Sequence, residues 1–294
     1  MKITRRMERW SPLVVLAAAL LLWQLVVAAF SIPEFIFPSP WQIAQDFAAF
    51  KGPLLEAAWK TFWVTMLGFA LSIVVGVLLG FVIGSSRLAY TALYPLMVAF
   101  NAVPKAAVVP ILVVWFGIGL GPGILTAFLI SFFPITVNIA TGLATLEPEL
   151  EDVLRVLGAR RWDVLVKVGL PRSMPYFYGS LKIAITLAFV GTVLAEMTAG
   201  DSGIGYLMQT AGSQQRMPLA FAGLVTIGAM AMAMYELFSW VEKRTTGWAH
   251  RGSQADGGAR PPAPRSCSSL SRWPAEAVRR RAGRGAPGAP AAGS

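Results

Sequence analysis

Long uncharged runs of apolar residues alternate with short polar connections over most of the chain. Residues 12–32 and 61–84 are two such runs, and each is long enough to cross about 30 Å of hydrocarbon as a helix. Residues 106–146 carry no charge and are too many for one crossing, and a glycine-rich turn at 117–123 divides them. The pattern predicts six membrane helices, at residues 12–32, 61–84, 88–118, 124–146, 178–198 and 217–235.

Two features of these runs bear on how the helices are arranged. The second run contains small residues at near-helical spacing, which allow helices to approach closely in lipid: Gly68, Gly76, Gly80 and Gly84. The first run is followed by PEFIFPSPW and not by a small-residue cleavage site. We therefore expect it to be kept as a membrane helix and not removed as a signal peptide.

The composition is typical of a membrane protein and excludes an ordinary soluble domain. Hydrophobic residues make up 55% of the chain, charged residues only 14%, and the mean hydropathy is +0.60, whereas soluble domains have about a quarter charged residues.

The net charge of +10 does not indicate nucleic-acid binding, because most of the excess lies in residues 251–294, which hold eight Lys or Arg and only two Asp or Glu. Cys267 and His250, the single cysteine and histidine, lie outside the apolar runs. This excludes Cys/His metal sites and histidine-dependent catalysis from the membrane part.

The distribution of Lys and Arg in the short connections predicts the orientation of the chain. With the N-terminus inside, twelve basic residues are cytoplasmic and three are external. The cytoplasmic ones are Lys2, Arg5, Arg6, Arg9, Arg87, Arg155, Arg160, Arg161, Lys167, Arg172, Lys243 and Arg244, and the external ones are Lys51, Lys60 and Arg216. We expect both ends in the cytoplasm, with residues 1–11 as the N-terminal segment and 12–250 as the transmembrane domain. Residues 251–294 are expected to form a disordered basic tail, which either lies on anionic lipid or is a frame-shifted extension.

The longest predicted cytoplasmic connection, residues 147–174, has an organised pattern of its own. Apolar residues fall on helical spacings at Leu150, Val153, Leu154, Leu157, Leu165, Val166 and Val168. Gly158 interrupts this pattern in the middle, and Pro171 ends it. The loop is therefore predicted to form two short amphipathic helices with a glycine joint between them.

This loop resembles the EAA loop of ATP-binding-cassette (ABC) importer permeases, whose pattern is Glu-Ala-Ala, three residues, Gly, nine residues and Ile-x-Leu-Pro. With Gly158 as the glycine, the Ile-x-Leu-Pro positions are held by Val168, Leu170 and Pro171, and the Glu-Ala-Ala positions by Asp152, Val153 and Leu154. The acidic charge is kept, and both alanines are replaced by larger residues. The segments FPSPWQI, VPKAAVVPILVVWFGIG and VLAEMTAGDSGIGYLM are similar to the nitrate, sulfonate and taurine branch of these permeases.

What the resemblance implies is a type I ABC importer permease with a MetI-like, all-α fold in the cytoplasmic membrane. It implies a homodimer of this chain, two copies of an ABC ATPase subunit and an extracytoplasmic solute-binding protein. The chain has no GxxxxGK[ST] phosphate loop. We therefore expect it to be no enzyme and to bind no cofactor itself, with ATP and Mg used by the ATPase. The residues expected to contact the ATPase are Asp152, Val153, Leu154, Arg155, Gly158, Ala159, Leu170 and Pro171.

Three polar residues in the apolar runs are candidates for the translocation path. Lys105 lies between two prolines inside the third run. We consider two kinds of role for it. Either Lys105 attracts an anion, helped by Asn101, or its role is structural, and it pairs with a carbonyl or with Glu196 or extends to the cytoplasmic surface. Glu196, near the outer end of the fifth predicted helix, either belongs to an external gate or is bonded to the GDSGIG turn that follows it.

The predicted function is import of a small anionic solute such as nitrate, a sulfonate or taurine. The same branch includes importers of pyrimidine precursors of thiamine and of riboflavin, so these solutes are alternatives. An ion-coupled secondary transporter would also have six helices and a buried lysine, but it has no need of the pattern from Gly158 to Pro171. An intramembrane enzyme is not supported, because the apolar runs contain no histidine and no carboxylate pair.

Overall fold

The computed structural model describes residues 5–144, 154, 156–158 and 160–245. All of them lie in Met1–Gly247, the first of the two units into which the chain divides. Within these residues the regular secondary structure is helical throughout, as predicted. In chain order the helices are α1 (Arg5–Ala29), α2 (Pro40–Ala49), α3 (Lys51–Gly84), α4 (Arg87–Ala102), α5 (Val109–Phe116), α6 (Leu120–Ala144), α7 (Arg161–Val164), α8 (Leu170–Ala199), α9 (Ile204–Ser213) and α10 (Met217–Thr245). A 3-10 turn at Lys105–Val108 precedes α5, and one turn of π-helix at Leu165–Gly169 precedes α8.

Four of the described helices are long and apolar enough to cross a membrane. They are α3, α6, α10 and the part of α8 from Ser173 to Ala199. A fifth span is formed if α4 and the segment Lys105–Phe116 count as one crossing, which is bent by 74° at its break. The apolar part of α1, Leu13–Ala29, is shorter than these spans. Length and composition thus support four or five of the six predicted spans, and the other one or two stay predictions from the sequence.

The third predicted helix, residues 88–118, is not one continuous helix. It ends at Ala102, and the next two residues, Val103 and Pro104, are extended, with ψ angles of 127° and 99°. A proline disfavours helical angles at the residue before it and has no N–H to donate. Helix α5 then begins with a second proline in its first turn, where no hydrogen bond is lost. The prolines therefore place Lys105 at a sharp bend in the chain.

The central packing contact joins α3 to α6, and glycines make it close. A Cβ added at Gly76 would lie 2.9 Å from the Cβ of Ile135, and one at Gly80 would lie 2.8 Å from the Cβ of Ile139. The other two glycines of the predicted stripe have equally short approaches to α6, Gly68 to Ala127 and Gly84 to Leu143. Real Cβ atoms are not found this close to their neighbours. The prediction that these glycines allow close helix packing is confirmed.

Helix α8 packs on α6 from another side and completes the core. A Cβ at Gly191 would lie 2.9 Å from the backbone of α6, so this approach is also close. The buried apolar residues that meet here are Phe69, Ala127, Ile135, Ile139, Leu143, Leu181, Ala184, Ile185, Ala188 and Phe189. Hydroxyl groups also bridge α3 and α6, with the Oγ atoms of Ser72 and Ser131 2.6 Å apart. Such hydrogen bonds are favourable between helices in lipid, where an unpaired polar group is costly.

The two ends of this bundle differ. We call the end that carries Leu154 and residues 156–158 and 160–169 the loop end, and the end that carries α2, α9 and the turn at residues 200–203 the far end. Neither short helix at the far end was predicted. The first, α2, begins with a capping box in which Ser39 and Gln42 bond each other's backbone N–H groups. Both helices bury apolar residues in one small cluster, formed by Ile43, Leu54, Ala211, Leu219, Ala220 and Ala222.

Candidate functional site

At the loop end, Gly158 has the backbone conformation that a glycine joint requires. Its φ angle is +86°, in the left-handed region that residues with a Cβ rarely adopt. Among the described atoms beyond its immediate neighbours, nothing lies within 4 Å of the position that a Cβ would take. The glycine is therefore needed for its backbone angle and not to make room for a neighbour.

Apolar side chains beside Gly158 are exposed. Val156 is 88% exposed and Leu157 is 76% exposed. A cleft of about 320 Å³ lies next to them, lined by Leu154, Leu157, Gly158, Asp163, Val164, Lys167 and Val168. Exposed apolar residues beside a cleft are typical of a surface that binds another protein.

The second half of the loop continues without interruption into a membrane helix. Helix α7, the π-helical turn and α8 follow one another from Arg161 to Ala199. The prediction that Pro171 ends the loop helix is wrong, because Leu170 is the first residue of α8 and Pro171 lies in its first turn. Proline is tolerated in the first turn of an α-helix, and the change from π-helix to α-helix falls just before Pro171. The loop end therefore has a continuous helical connection to α8.

Four of the predicted coupling residues, Asp152, Val153, Arg155 and Ala159, lie outside the described residues, and their contacts with an ATPase stay predictions. In the described part of the loop, Lys167 forms an exposed ion pair with Asp163, with an N–O distance of 3.0 Å. The hydrogen bond from Lys167 holds the pKa of the Asp163 carboxyl below its ordinary value. The loop surface thus presents an ionised acid and base beside its apolar residues.

Asn101 and Lys105 lie together at the bend between α4 and α5. The Nζ of Lys105 donates to the backbone oxygen of Asn101 at 3.0 Å and to its Oδ1 at 2.7 Å. In the part of the chain that the structure describes, Lys105 takes part in no ion pair. Of the alternatives drawn from the sequence, pairing with a carbonyl is the one observed, and the partners of Glu196 lie elsewhere. The positive charge at the bend is held by neutral oxygen atoms.

Glu196 is buried at the far end, where it joins three helices. The Thr61 hydroxyl donates to its two carboxylate oxygens at 2.8 and 2.9 Å, and the backbone N–H of Gly205 donates to Oε2 at 2.9 Å. The backbone N–H of Ile204 in turn donates to Thr61 Oγ1 at 2.8 Å. A carboxylate at the first N–H groups of a helix is favourable, so Glu196 fixes the start of α9 to α3. Bonding to the GDSGIG turn is thus observed, and a place for Glu196 in the translocation path stays a prediction.

One interaction that the sequence did not predict joins α8 to α10. The Nζ of Lys182 lies 2.6 Å from Oε2 of Glu242, and these side chains are 19% and 13% exposed. The Lys182 ammonium also lies 5.9 Å from the centre of the Tyr235 ring. The two charged residues are 60 positions apart, so no local pattern shows the pair. The one signal in the sequence is the presence of charges at the edge of apolar runs, where a charge needs a partner.

The fold and these sites define a class of protein. A bundle of apolar helices with a charge at a broken span and exposed apolar residues in a loop at one end is typical of a multi-pass membrane permease. The chain belongs to the family described as "Binding-protein-dependent transport system inner membrane component", whose model matches residues 72–247. It is thus an inner-membrane ABC importer permease, a class that works with an ATPase subunit and a binding protein. The resemblance drawn from the loop is confirmed.

Individual proteins agree with this assignment. The chain is 32% identical to the riboflavin transport system permease protein RibX of Chloroflexus aurantiacus, over 80% of its own length and 88% of that protein. It is also 32% identical to the nitrate import permease protein NrtB of Leptolyngbya laminosa, over 60% of its own length and 63% of that protein. A structure of the MetNI methionine ABC transporter in inward-facing conformations matches with a TM-score of 0.59 and 16% identity, over 67% of this chain and 98% of that one. This likeness confirms the MetI-like fold.

Proposed function

We infer that this chain is the membrane subunit of an importer that carries a small anion, such as nitrate or a sulfonate, into the cytoplasm. Two copies of the chain form the permease. Two ATPase subunits, which use ATP and Mg, dock at the loop end, and a solute-binding protein delivers the solute at the far end. Both termini are cytoplasmic, so the loop end faces the cytoplasm. The proposal of an anion rests on one observation: Lys105 lies at the bend and is bonded by the uncharged oxygen atoms of Asn101, without a described carboxylate partner.

Lys105 places a positive charge within the membrane, and its hydrogen-bond partners in the described part of the chain are uncharged. A charge at the centre of a bilayer costs at least ~2.5 kcal/mol, so it needs compensation. Asn101 supplies two oxygen atoms, but neither carries a full negative charge. An anion passing the bend would supply that charge. The non-helical backbone at the bend agrees with this, because such backbone at membrane depth is tolerated where it is enclosed by protein or lines a water-filled path.

The face that carries the bend is open in the single chain, which supports a dimer. No residue of α4 is buried, and Asn101 at its end is exposed. Polar groups at this depth are stable only when they face protein or water. A second copy of the chain would cover this face and enclose the two bends, one from each copy, around a shared path.

The loop end is the proposed docking surface for the ATPase. Val156 and Leu157 expose apolar side chains there, and Gly158 sets the angle of the loop between them and α7. Because the chain continues as helix into α8, closure of the ATPase dimer on ATP would pull directly on a membrane helix. The bundle would then change between inward-facing and outward-facing states.

Vesicles that contain the chain with its ATPase and binding protein test the proposal. Nitrate, taurine and riboflavin are offered separately, with and without ATP on the ATPase side, and in the absence of ion gradients. We expect ATP-dependent uptake of nitrate or taurine. Uptake of riboflavin alone would show that the solute is not a small anion, and RibX makes riboflavin the second candidate. Uptake that needs an ion gradient and no ATP would contradict the mechanism.

A charge-removing variant tests the place of Lys105 in the path. Lys105→Met should lower anion uptake at least about tenfold, whereas Lys105→Arg, which keeps the charge, should retain most of it. The matched control is Lys60→Met, because Lys60 forms an exposed ion pair with Glu56 at 3.0 Å. Binding of the ATPase should be the same for all three variants. Unchanged uptake by Lys105→Met would remove Lys105 from the path.

A further inference from the structure

The ion pair between Lys182 and Glu242 lies within two helices that are long and apolar enough to cross the membrane. Its two side chains are mostly buried. The described pairs Glu56–Lys60 and Asp163–Lys167 each join residues four positions apart on one helical stretch, and their side chains are between 39% and 75% exposed. Of these three described ion pairs, the one between α8 and α10 joins residues far apart in the sequence and has mostly buried side chains.

The position of this pair along α8 connects it to the loop. Lys182 is twelve residues after Leu170, where α8 begins, which is roughly 18 Å along a helix axis. Helix α8 itself continues from the π-helical turn of the loop. Glu242 lies near the end of α10. The pair therefore links the helix that follows the loop to the last helix of the bundle.

The start of α10 is held by the buried residues Leu219, Ala220 and Ala222, and farther along the helix its contacts with the core include two methionines. Its side chains against the core include Ile227, Met230, Ala231, Met234 and Phe238. Methionine side chains are flexible and fill irregular gaps, so they tolerate small shifts of one helix along another. A buried ion pair does not, because attraction between charges is strong at low dielectric and separating them leaves two uncompensated charges.

We propose that Lys182 and Glu242 are a positioning pair that makes α10 move with α8 as one body when the loop end moves. This rests on the proposed function, because α8 is displaced only if an ATPase acts on the loop. When the loop pulls α8, the ion pair transfers the displacement to α10. Without the pair, α8 moves and α10 lags behind, so ATP is hydrolysed with less solute carried.

The first experiment measures solute transported per ATP hydrolysed in vesicles, with nitrate, taurine and riboflavin as probes. The double variant Lys182→Met with Glu242→Gln removes both charges and leaves neither one unpaired. We expect it to insert, bind the ATPase and hydrolyse ATP near the wild-type rate, with at least a fivefold lower ratio of solute to ATP. Exchange of the charges, Lys182→Glu with Glu242→Lys, should restore the ratio to within twofold. A wild-type ratio in the neutral double variant, or no recovery on exchange, would overturn the proposal.

The matched control is the exposed pair of the same chemistry, Lys60→Met with Glu56→Gln. Because both of its side chains are exposed, its neutral version should leave the ratio unchanged. A melting temperature measured for each variant separates a loss of folding from a loss of coupling, since a purely structural pair would lower the melting temperature without changing the ratio in the folded fraction.

A second experiment needs no solute. Spin labels are placed on α8 at Val190 and on α10 at Val225, which are 54% and 55% exposed, in the assembled complex with Cys267→Ser. The distance between them should be the same with and without ATP in the wild type, and should shift with ATP in the neutral double variant. A distance that stays fixed in that variant, although ATP moves α8 relative to α3, would overturn the proposal.

A label pair between α3 and α8, at Val74 and Val190, separates failure of this proposal from failure of the proposed function. Val74 is 57% exposed. ATP should change this distance in the wild type and in the neutral double variant. If ATP changes the α3–α8 distance but the α8–α10 distance stays fixed in the variant, the proposal that Lys182 and Glu242 act as a positioning pair is wrong. If ATP changes nothing in the wild type, the proposed ATP-driven movement is wrong.

Discussion

Replacing Gly158 by valine changes the backbone of the loop without adding a clash. Its φ angle of +86° is unfavourable for valine by roughly 1–2 kcal/mol. Because no described atom beyond its neighbours is within 4 Å of a Cβ at this position, the backbone angle alone sets the cost. A cost of 1–2 kcal/mol lowers the population of the bent loop by a factor of about 5–30. The apparent Kd for the ATPase should rise by the same factor.

The assay is binding of the purified ATPase to the permease in lipid nanodiscs. Gly158→Asn is the matched control, because asparagine is close to valine in size but adopts left-handed angles more readily. We expect Gly158→Val to raise the Kd about 5–30-fold and to lower ATP-driven uptake, and Gly158→Asn to stay within about threefold of the wild type. The melting temperature should not change. Equal Kd values for the glycine, asparagine and valine proteins would show that the backbone angle at this position has no part in docking.

Three further predictions concern packing, orientation and the tail. Gly80→Val should lower the free energy of unfolding by about 1–3 kcal/mol, seen as a lower melting temperature, because its Cβ would lie 2.8 Å from the Cβ of Ile139. Gly228→Val is the control and should have much less effect, because no described atom lies within 4 Å of a Cβ at that position. A single cysteine at Gly52 should react with an impermeant thiol reagent from outside, and one at Asp163 should not, since the count of basic residues places the loop inside. Deletion of residues 253–294 should leave uptake intact, since that sequence lacks an apolar face with which to pack.

Each of these has an outcome that contradicts it. Equal melting temperatures for the two glycine variants would mean that α3 and α6 are not held at the distance observed. Labelling of position 163 in sealed right-side-out vesicles would show that the loop is external and that the predicted topology is wrong. A truncated chain that inserts but no longer binds its ATPase would assign the tail a function in assembly.

Much of the helical architecture is present in the sequence because lipid offers no water for hydrogen bonding. An uncharged run long enough to cross must satisfy its backbone internally, and helices do so. The runs at 61–84, 124–146, 178–198 and 217–235 accordingly fall within α3, α6, α8 and α10 or extend just beyond them. The glycine stripe of α3 and the glycine in the loop were also readable, because glycine is placed where a side chain or an ordinary backbone angle would be excluded.

The sequence did not show which distant residues meet. Thr61 and Glu196 are 135 positions apart and Lys182 and Glu242 are 60 apart, and the angle of 74° at the bend does not follow from its prolines alone. These features depend on the rotation and relative height of whole helices. Rotation and height are set by the sum of close contacts along α3, α6, α8 and α10, to which every residue of the interface contributes. Local spacing determines that a segment is a helix, and only packing against its neighbours determines which charge finds which partner.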